Sequence, residues 1–421
     1  MNLVFPVLAL LAVATAAWSE VQGGGRMAAL SQVLVEQAQA SVTLAFGLLG
    51  IMALFLGLMK VAEAGGLLVA TARLIEPLLR RLFPEVPPGH PAMGAMVMNV
   101  AANLLGLGNA ATPFGIRAME HLGRLNRRPG TASDAMVLFL VLNTAGFTLL
   151  PTKVIALRAS AGSADPAAIV VPTLVATLVA ALLAWVATRL LQRVWDPDPP
   201  ALGPLSAPPD ADGASAPPPV GRGGWLGLLG LAAGLGGLAV LGGRAGAWLL
   251  PLMVAAVMLF GLWRRVPVYE RFVEGARDAL RVAVRILPYL VAILVVIGMV
   301  RASGAMEAVL GPVGRVTAMV GLPAEALLMA VTRSLSGSGA FGLLASQMND
   351  PANGPDSRLG ILLGTLYGST ETTFYVLAVY FGAVGVRRIR HALAVGLFAD
   401  IVATAAAVAA CAVLYPDGVA R

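Results

Sequence analysis

Residues 99–115 read Asn-Val-Ala-Ala-Asn-Leu-Leu-Gly-Leu-Gly-Asn-Ala-Ala-Thr-Pro-Phe-Gly, within an otherwise apolar stretch. Three asparagines, Gly106, Gly108 and the Thr112-Pro113 pair cannot make an uninterrupted lipid-facing helix, because each freed backbone group needs an internal partner where there is no water. A re-entrant hairpin tip accounts for all of these residues. It would present backbone amides and helix ends to a polar ligand near mid-membrane. The alternative is a kinked packing helix held by asparagine hydrogen bonds.

A second tip is expected at residues 333–342, Arg-Ser-Leu-Ser-Gly-Ser-Gly-Ala-Phe-Gly. The formal G-x-G-x-x-G it contains lacks the strand and βαβ unit of a dinucleotide site. A serine hydrolase is excluded too, since no histidine lies within an apolar run near Ser336 or Ser338 to act as base. The third polar stretch, Gly368-Ser-Thr-Glu-Thr-Thr-Phe-Tyr375, puts a carboxylate and four hydroxyls into an apolar run from Leu359 to Gly385. An ionisable group there costs on the order of 3 kcal/mol to insert and is a functional candidate by default. Asp400 and Lys153 are weaker cases, and Lys153 can snorkel to the interface.

Composition supports a bilayer setting. Of 421 residues, 58% are hydrophobic and only 12% charged, about half the charge of an ordinary soluble domain. Ser41–Met59, Ala167–Ala187, Ile286–Val300 and Ala392–Leu414 are nearly charge-free and read as spanning helices. The first eighteen residues form a further span or a signal peptide. The net charge of +7 resides in arginine clusters between apolar runs, which excludes a nucleic-acid partner and points to cytoplasmic loops. Cys411 is the single cysteine and is expected to pack inside the last span. His90, His121 and His391 lie far apart and read as surface or interface residues, so no metal site or cofactor is expected.

Asp196–Val220 holds nine of the 28 prolines and reads as a linker. It separates a membrane half at 1–195 from another at 223–421, with the linker taken as 196–222 and two additional spans, Trp225–Leu241 and Trp248–Trp263, opening the second half. The halves are collinear. Ala64-Gly65-Gly66, Pro77, Pro91, Gly108 and Asn143-Thr144 are matched by Ala302-Ser303-Gly304, Pro312, Pro323, Gly339 and Ser369-Thr370. The basic regions fall at Lys60–Arg81, Arg117–Arg128, Arg189–Arg193, Arg264–Arg285 and Arg387–Arg390. Placing all five in the cytoplasm inverts the second half relative to the first. The expected fold is therefore an all-α integral membrane protein of two inverted repeats with re-entrant hairpins, resembling a transporter.

These same residues carry a family resemblance. Ala92–Met119 closely resembles spore maturation protein A, and Arg333–Gly342 with Gly368–Ala392 resembles spore maturation protein B. The resemblance implies a natural fusion of the two, carrying the nucleoside-recognition or Gate domain. That domain is similar to segments of concentrative nucleoside transporters and of the ferrous-iron transporter's membrane part. It further implies, in spore formers, a part in dehydration of the spore core.

The sequence is thus read as a multi-pass protein of the cell inner membrane that moves a small polar solute or cation, with a non-transporting scaffold or regulator as the rival. No catalytic constellation is present, and an enzyme is not expected. The lipid bilayer is its expected partner, and a homo-oligomer is compatible with it. The candidate binding residues are Asn99, Asn103, Gly108, Asn109, Thr112, Asn143, Thr144, Ser336, Ser338, Gly339, Ser369, Thr370, Glu371 and Thr372. A cysteine placed at Ser206 in the linker should react with an impermeant maleimide only after the cells are opened. Labelling of intact cells would overturn the assigned topology.

Overall fold

Among the described residues, an apolar helix followed by a very long one occurs twice, and this pairing organises the rest. The computed structural model describes residues 4–106, 108–149, 151–195, 246–350 and 353–419. The linker and the expected span Trp225–Leu241 lie outside the described residues. The first half comprises α1 (Val4–Val21), α2 (Arg26–Ala64), α3 (Leu67–Leu82), α4 (Pro91–Leu104), α5 (Gly108–Leu125), α6 (Asp134–Thr144), α7 (Thr152–Ser160) and α8 (Val170–Val194). The second comprises α9 (Gly246–Trp263), α10 (Val268–Ala302), α11 (Ala305–Ala318), α12 (Ala324–Leu335), α13 (Gly337–Met348), α14 (Arg358–Ser369), α15 (Thr373–Ala383) and α16 (Ala392–Leu414).

The order of helices recurs. From α2 to α8 the lengths are 39, 16, 14, 18, 11, 9 and 25 residues. From α10 to α16 they are 35, 14, 12, 12, 12, 11 and 23, so both halves place their breaks at the same points. In each, a left-handed glycine ends the turn after the long helix, Gly66 at φ 85° and Gly304 at φ 77°. The next helix carries an internal proline, Pro77 or Pro312. Serines then set the starts of the inner helices by accepting backbone N–H groups: Ser133 for α6, Ser336 for α13 and Ser357 for α14. The 18-residue helices α1 and α9 pack on both long helices.

Described residues are nearly all helical, with one isolated bridge between Thr131 and Arg388 and no strand. Val170–Leu191 and Ala392–Leu414 are each long and apolar enough to cross a membrane, and they pack on each other. The pair Met52–Ala64 and Leu67–Leu82 qualifies jointly across a bend of 69°. Cys411 is buried in α16, as its position suggested. The histidines differ from expectation. His90 and His391 are buried, and His90 accepts the Ala92 N–H at the start of α4, which explains its place before Pro91.

The halves interlock in antiparallel fashion. Arg26 at the start of α2 donates to the Ser303 carbonyl beyond the end of α10, while Lys60 near the end of α2 meets Glu274 near the start of α10. Between them Gly275 approaches so closely that a Cβ there would sit 2.3 Å from the Leu56 carbonyl oxygen. The shorter helices are tied at both ends. At one end Gly130 O accepts from Arg387 and Arg388 N–H, and Arg390 pairs with Asp134 at 2.7 Å. Arg390 also reaches the Trp195 carbonyl beyond α8, and Arg189 reaches the carbonyl of Leu82, the last residue of α3, so this end collects much of the basic charge.

At the other end Arg158, fully buried, donates to Asp356 at 3.0 Å and to the carbonyls of Asp165, Pro166 and Pro355. Asp356 also accepts from the Ala164 N–H and the Ser163 hydroxyl, and its own carbonyl accepts from Val419 N. Burial raises the Asp165 carboxyl from its ordinary value, and its side chain accepts the Ala167 N–H; the carboxylate at ion-pair distance from Arg158 is that of Asp356. Asp356→Ala should therefore destabilise the protein by about 3 kcal/mol, since it strands a buried guanidinium. Thermal unfolding in detergent would show this as a clear drop in Tm, and an unchanged Tm would reduce the pair to a surface contact.

Candidate functional site

Two polypeptide interruptions meet at the centre of this arrangement. The described residues between Thr144 and Thr152 are non-helical; Gly146 takes φ 59° and Pro151 restarts the chain. The second half is non-helical between Ser369 and Thr373, with Thr370 fully extended. The apolar runs expected to continue past Asn143 and through Glu371 are thus broken rather than continuous. The Thr144 carbonyl accepts the Glu371 N–H at 2.9 Å, so each break supplies what the other lacks. Leu149 N–H is taken up by the Leu104 carbonyl at the end of α4. The ends of α6 and α14 and the starts of α7 and α15 converge here, placing opposite partial charges side by side.

Beside Glu371 lies a single cation held in a polar cluster. Arg333 on α12 donates to the Thr372 hydroxyl at 3.0 Å and to the Thr370 carbonyl, stacks over the Tyr367 ring at 4.5 Å, and approaches the Glu371 carboxylate at 3.4 Å. The two charges are differently housed: the Arg333 side chain is 7% exposed and that of Glu371 46%. The arginine is fixed by neutral partners while the carboxylate faces outward. Thr372 reaches Arg333 past Gly337, where a Cβ would lie 2.7 Å from its hydroxyl.

A second network comes from the first half. Asn143 accepts from Asn103 at 2.8 Å and from the Tyr380 hydroxyl at 3.2 Å, and donates to the Phe139 carbonyl. Asn99 donates to the Ala111 carbonyl at 2.8 Å and to Tyr380 at 3.1 Å. Tyr380 belongs to α15, so the asparagines bind the other half of the chain. Gly115 makes this possible, because a Cβ there would fall 2.1 Å from the tyrosine hydroxyl. The Asn99 Oδ1, Thr144 Oγ1 and Arg333 Nε atoms are buried without a hydrogen-bond partner among the described residues.

The expected site residues are distributed unevenly over this arrangement. Asn99, Asn103, Asn143, Thr144, Ser369, Thr370, Glu371 and Thr372 lie in or beside the crossing. Ser369 bonds back to the Leu366 carbonyl within its own helix. Gly108 opens α5, Asn109 follows it with a side chain outside the described set, and Thr112 is half-buried in that helix. The interruption in the second half falls at Ser336 instead of Gly339. Ser336 caps α13 by accepting the Gly339 N–H, and Ser338 and Gly339 form its first turn. Arg333 and Tyr380 were not anticipated. Arg333 is the one charged residue between Glu325 and Asp350, a usable signal for the first, whereas nothing in the sequence marks Tyr380. The surface depressions around Arg80–Met93 and Glu120–Val386 include no residue of the crossing.

Gly146 tests the crossing directly. A Cβ there would lie 2.9 Å from the Glu371 nitrogen and 3.0 Å from the Thr370 carbonyl carbon, both backbone. Gly89 has a similar φ of 79° and open space around it. Gly89→Ala should cost about 1 kcal/mol from backbone strain alone, and Gly146→Ala distinctly more. Equal losses in thermal stability would mean that the two breaks are not in close contact.

Comparison with known proteins agrees with this architecture. Residues 45–161, from within α2 to just past α7, match the family model described as Gate, nucleoside recognition. Spore maturation protein A of Bacillus subtilis (strain 168) is 43% identical over 165 residues, covering 39% of this chain and 84% of that protein. Spore maturation protein B of the same organism is 39% identical over 167 residues, covering 40% of this chain and 93% of that protein. Identity at this level across most of both relatives means that the chain belongs to the spore maturation protein family, with similarity to its A and B members in a single polypeptide.

Proposed function

We propose that the protein is a multi-pass transporter of the cell inner membrane, moving a small polar solute or cation through a site at the crossing of its interrupted helices. The observation that carries this reading is the Thr144–Glu371 backbone contact, which holds an outward-facing carboxylate between four helix ends. Interrupted helices whose ends meet at a polar centre are the usual way for a membrane carrier to offer ligand groups inside a bilayer. On this reading the A-like half is 1–195 and the B-like half 223–421, inverted relative to each other. The antiparallel run of α6–α7 against α14–α15 supports the inversion, because α6 starts where α15 ends and α14 starts where α7 ends. The basic end, with Arg189 and Arg387–Arg390, then faces the cytoplasm along with the linker.

Solute contact falls to Glu371, with the Thr370 and Thr372 region and Arg333 behind it. Asn103, Asn143 and Tyr380 form the opposite wall. The mutual satisfaction of those asparagines favours the scaffold reading, in which polar groups serve only helix packing. Flux into proteoliposomes, measured against nucleosides, monovalent and divalent cations and small polar metabolites, separates the two. Transport of at least one of these, reduced tenfold or more in folded Glu371→Gln protein, is the expected result. No flux from wild type, with Glu371→Gln also neutral in a cellular assay, would leave the scaffold.

A further inference from the structure

Asp400 is the one acidic residue of α16, placed about midway along a helix long enough to cross the bilayer. It is 9% exposed. Its Oδ2 accepts the hydroxyl of Ser334 on α12 at 2.6 Å and that of Thr373 on α15 at 2.7 Å. Its Oδ1 is buried with no hydrogen-bond partner among the described residues. Gly396, one turn earlier, lets α15 come this close, since a Cβ there would lie 2.8 Å from the Thr373 methyl. Thr373 is the first residue of α15, directly after the break that contains Glu371.

We propose that Asp400 is a reversible proton-binding site, separate from the solute site and linked to it through Arg333. Both protonation states have support. Two hydroxyl donors and the start of α15 favour the carboxylate, while burial in an apolar helix and the empty second oxygen favour the acid. Both hydroxyls converge on one oxygen, which leaves a single acceptor. A proton needs no more than that, whereas a metal cation needs several.

The charged surroundings are sparse. Helices α6, α8 and α14 carry their charges near their outer ends, at Asp134, at Arg189 and Arg193, and at Arg358. Helix α15 has none, and its titratable groups are Tyr375 and Tyr380; α14 adds Tyr367, and α16 itself adds Cys411. Helix α12 carries Glu325 in its first turn and Arg333 in its last; Arg333 is paired with Glu371 and is next in sequence to Ser334, which donates to Asp400. One cation therefore lies between the two carboxylates, in contact with Glu371 and one residue from a donor to Asp400. With Asp400 ionised the trio carries a net negative charge, and with Asp400 protonated it is neutral. A cation arriving at Glu371 favours the first state, so proton release accompanies its binding. This linkage rests on Glu371 being the solute contact, whereas the proton site itself does not.

Infrared difference titration of the purified full chain tests the site without any transported solute. Beside the bands of other carboxyls such as Asp165, the titration should contain a carboxylic-acid C=O component that appears and vanishes between about pH 4 and 9, is lost in Asp400→Asn, and shifts in frequency in Thr373→Val, which removes one donor. In Glu371→Gln the band should persist with its midpoint moved to lower pH, because Arg333 then serves Asp400 alone. A wild-type-minus-Asp400→Asn difference titration that shows no C=O component overturns the proton site, even if transport is demonstrated. An unmoved midpoint in Glu371→Gln overturns the linkage. Absence of flux with the titration intact would instead count against the transport reading.

Discussion

A backbone that leaves the helical state inside a bilayer must find partners for its amides and carbonyls within the protein. The Thr144–Glu371 hydrogen bond meets that demand for both halves at once. Much of the arrangement follows from keeping the two breaks opposed: the close approaches at Gly146, Gly115 and Gly337, the threonines beside the breaks, and the arginine that fills the space behind them. The polar centre is then a condition of the fold as well as a candidate for function. Asn103, Asn143 and Tyr380 hold the chain in place, while Glu371, with its half-open side chain, is the member least needed for that purpose.

The opposition of the two breaks explains how such a centre arises. The breaks after Thr144 and after Ser369 face each other, so a partner for one is supplied by the other. The ion pairs at either end follow the same logic. Asp134 begins α6 and meets Arg390 beyond the end of α15; Asp356 precedes α14 and meets Arg158 near the end of α7. Each half contributes one acid and one base, and neither end is closed without the other half. The long helices α2 and α10 and the spanning pair α8 and α16 add the same reciprocity on a larger scale.

The general architecture was legible because its determinants are local. Glycine and proline mark helix ends by their own backbone chemistry, so Gly66, Pro91 and Gly304 reveal much of the order of elements. The polar members of the site were legible for a related reason, since Asn99, Asn143 and Glu371 stand out in apolar surroundings. What could not be read was the partner of each. Tyr380 is unremarkable among aromatic residues on α15, and only the packing of α15 on α5 and α6 brings it to the asparagines. The exact break points were also hidden. Leu359–Gly385 is hydrophobic enough to suggest one helix, and it is the crossing chain at Gly146 that makes an extended Thr370 sustainable.

The reciprocal end pairs have a consequence for biogenesis. During synthesis the first half leaves the ribosome before the second, so Arg158 and Asp134 enter the membrane before Asp356 and Arg390 exist. Until then the nascent half holds a guanidinium whose eventual counter-ion lies 198 residues downstream and a carboxylate whose counter-ion lies further still. A second half on a separate messenger would have to find it by diffusion in the plane of the membrane. Covalent continuity instead delivers it at high local concentration, in equal number and from the same translocation site. Joining the halves thus shortens the interval in which an incomplete first half is open to degradation.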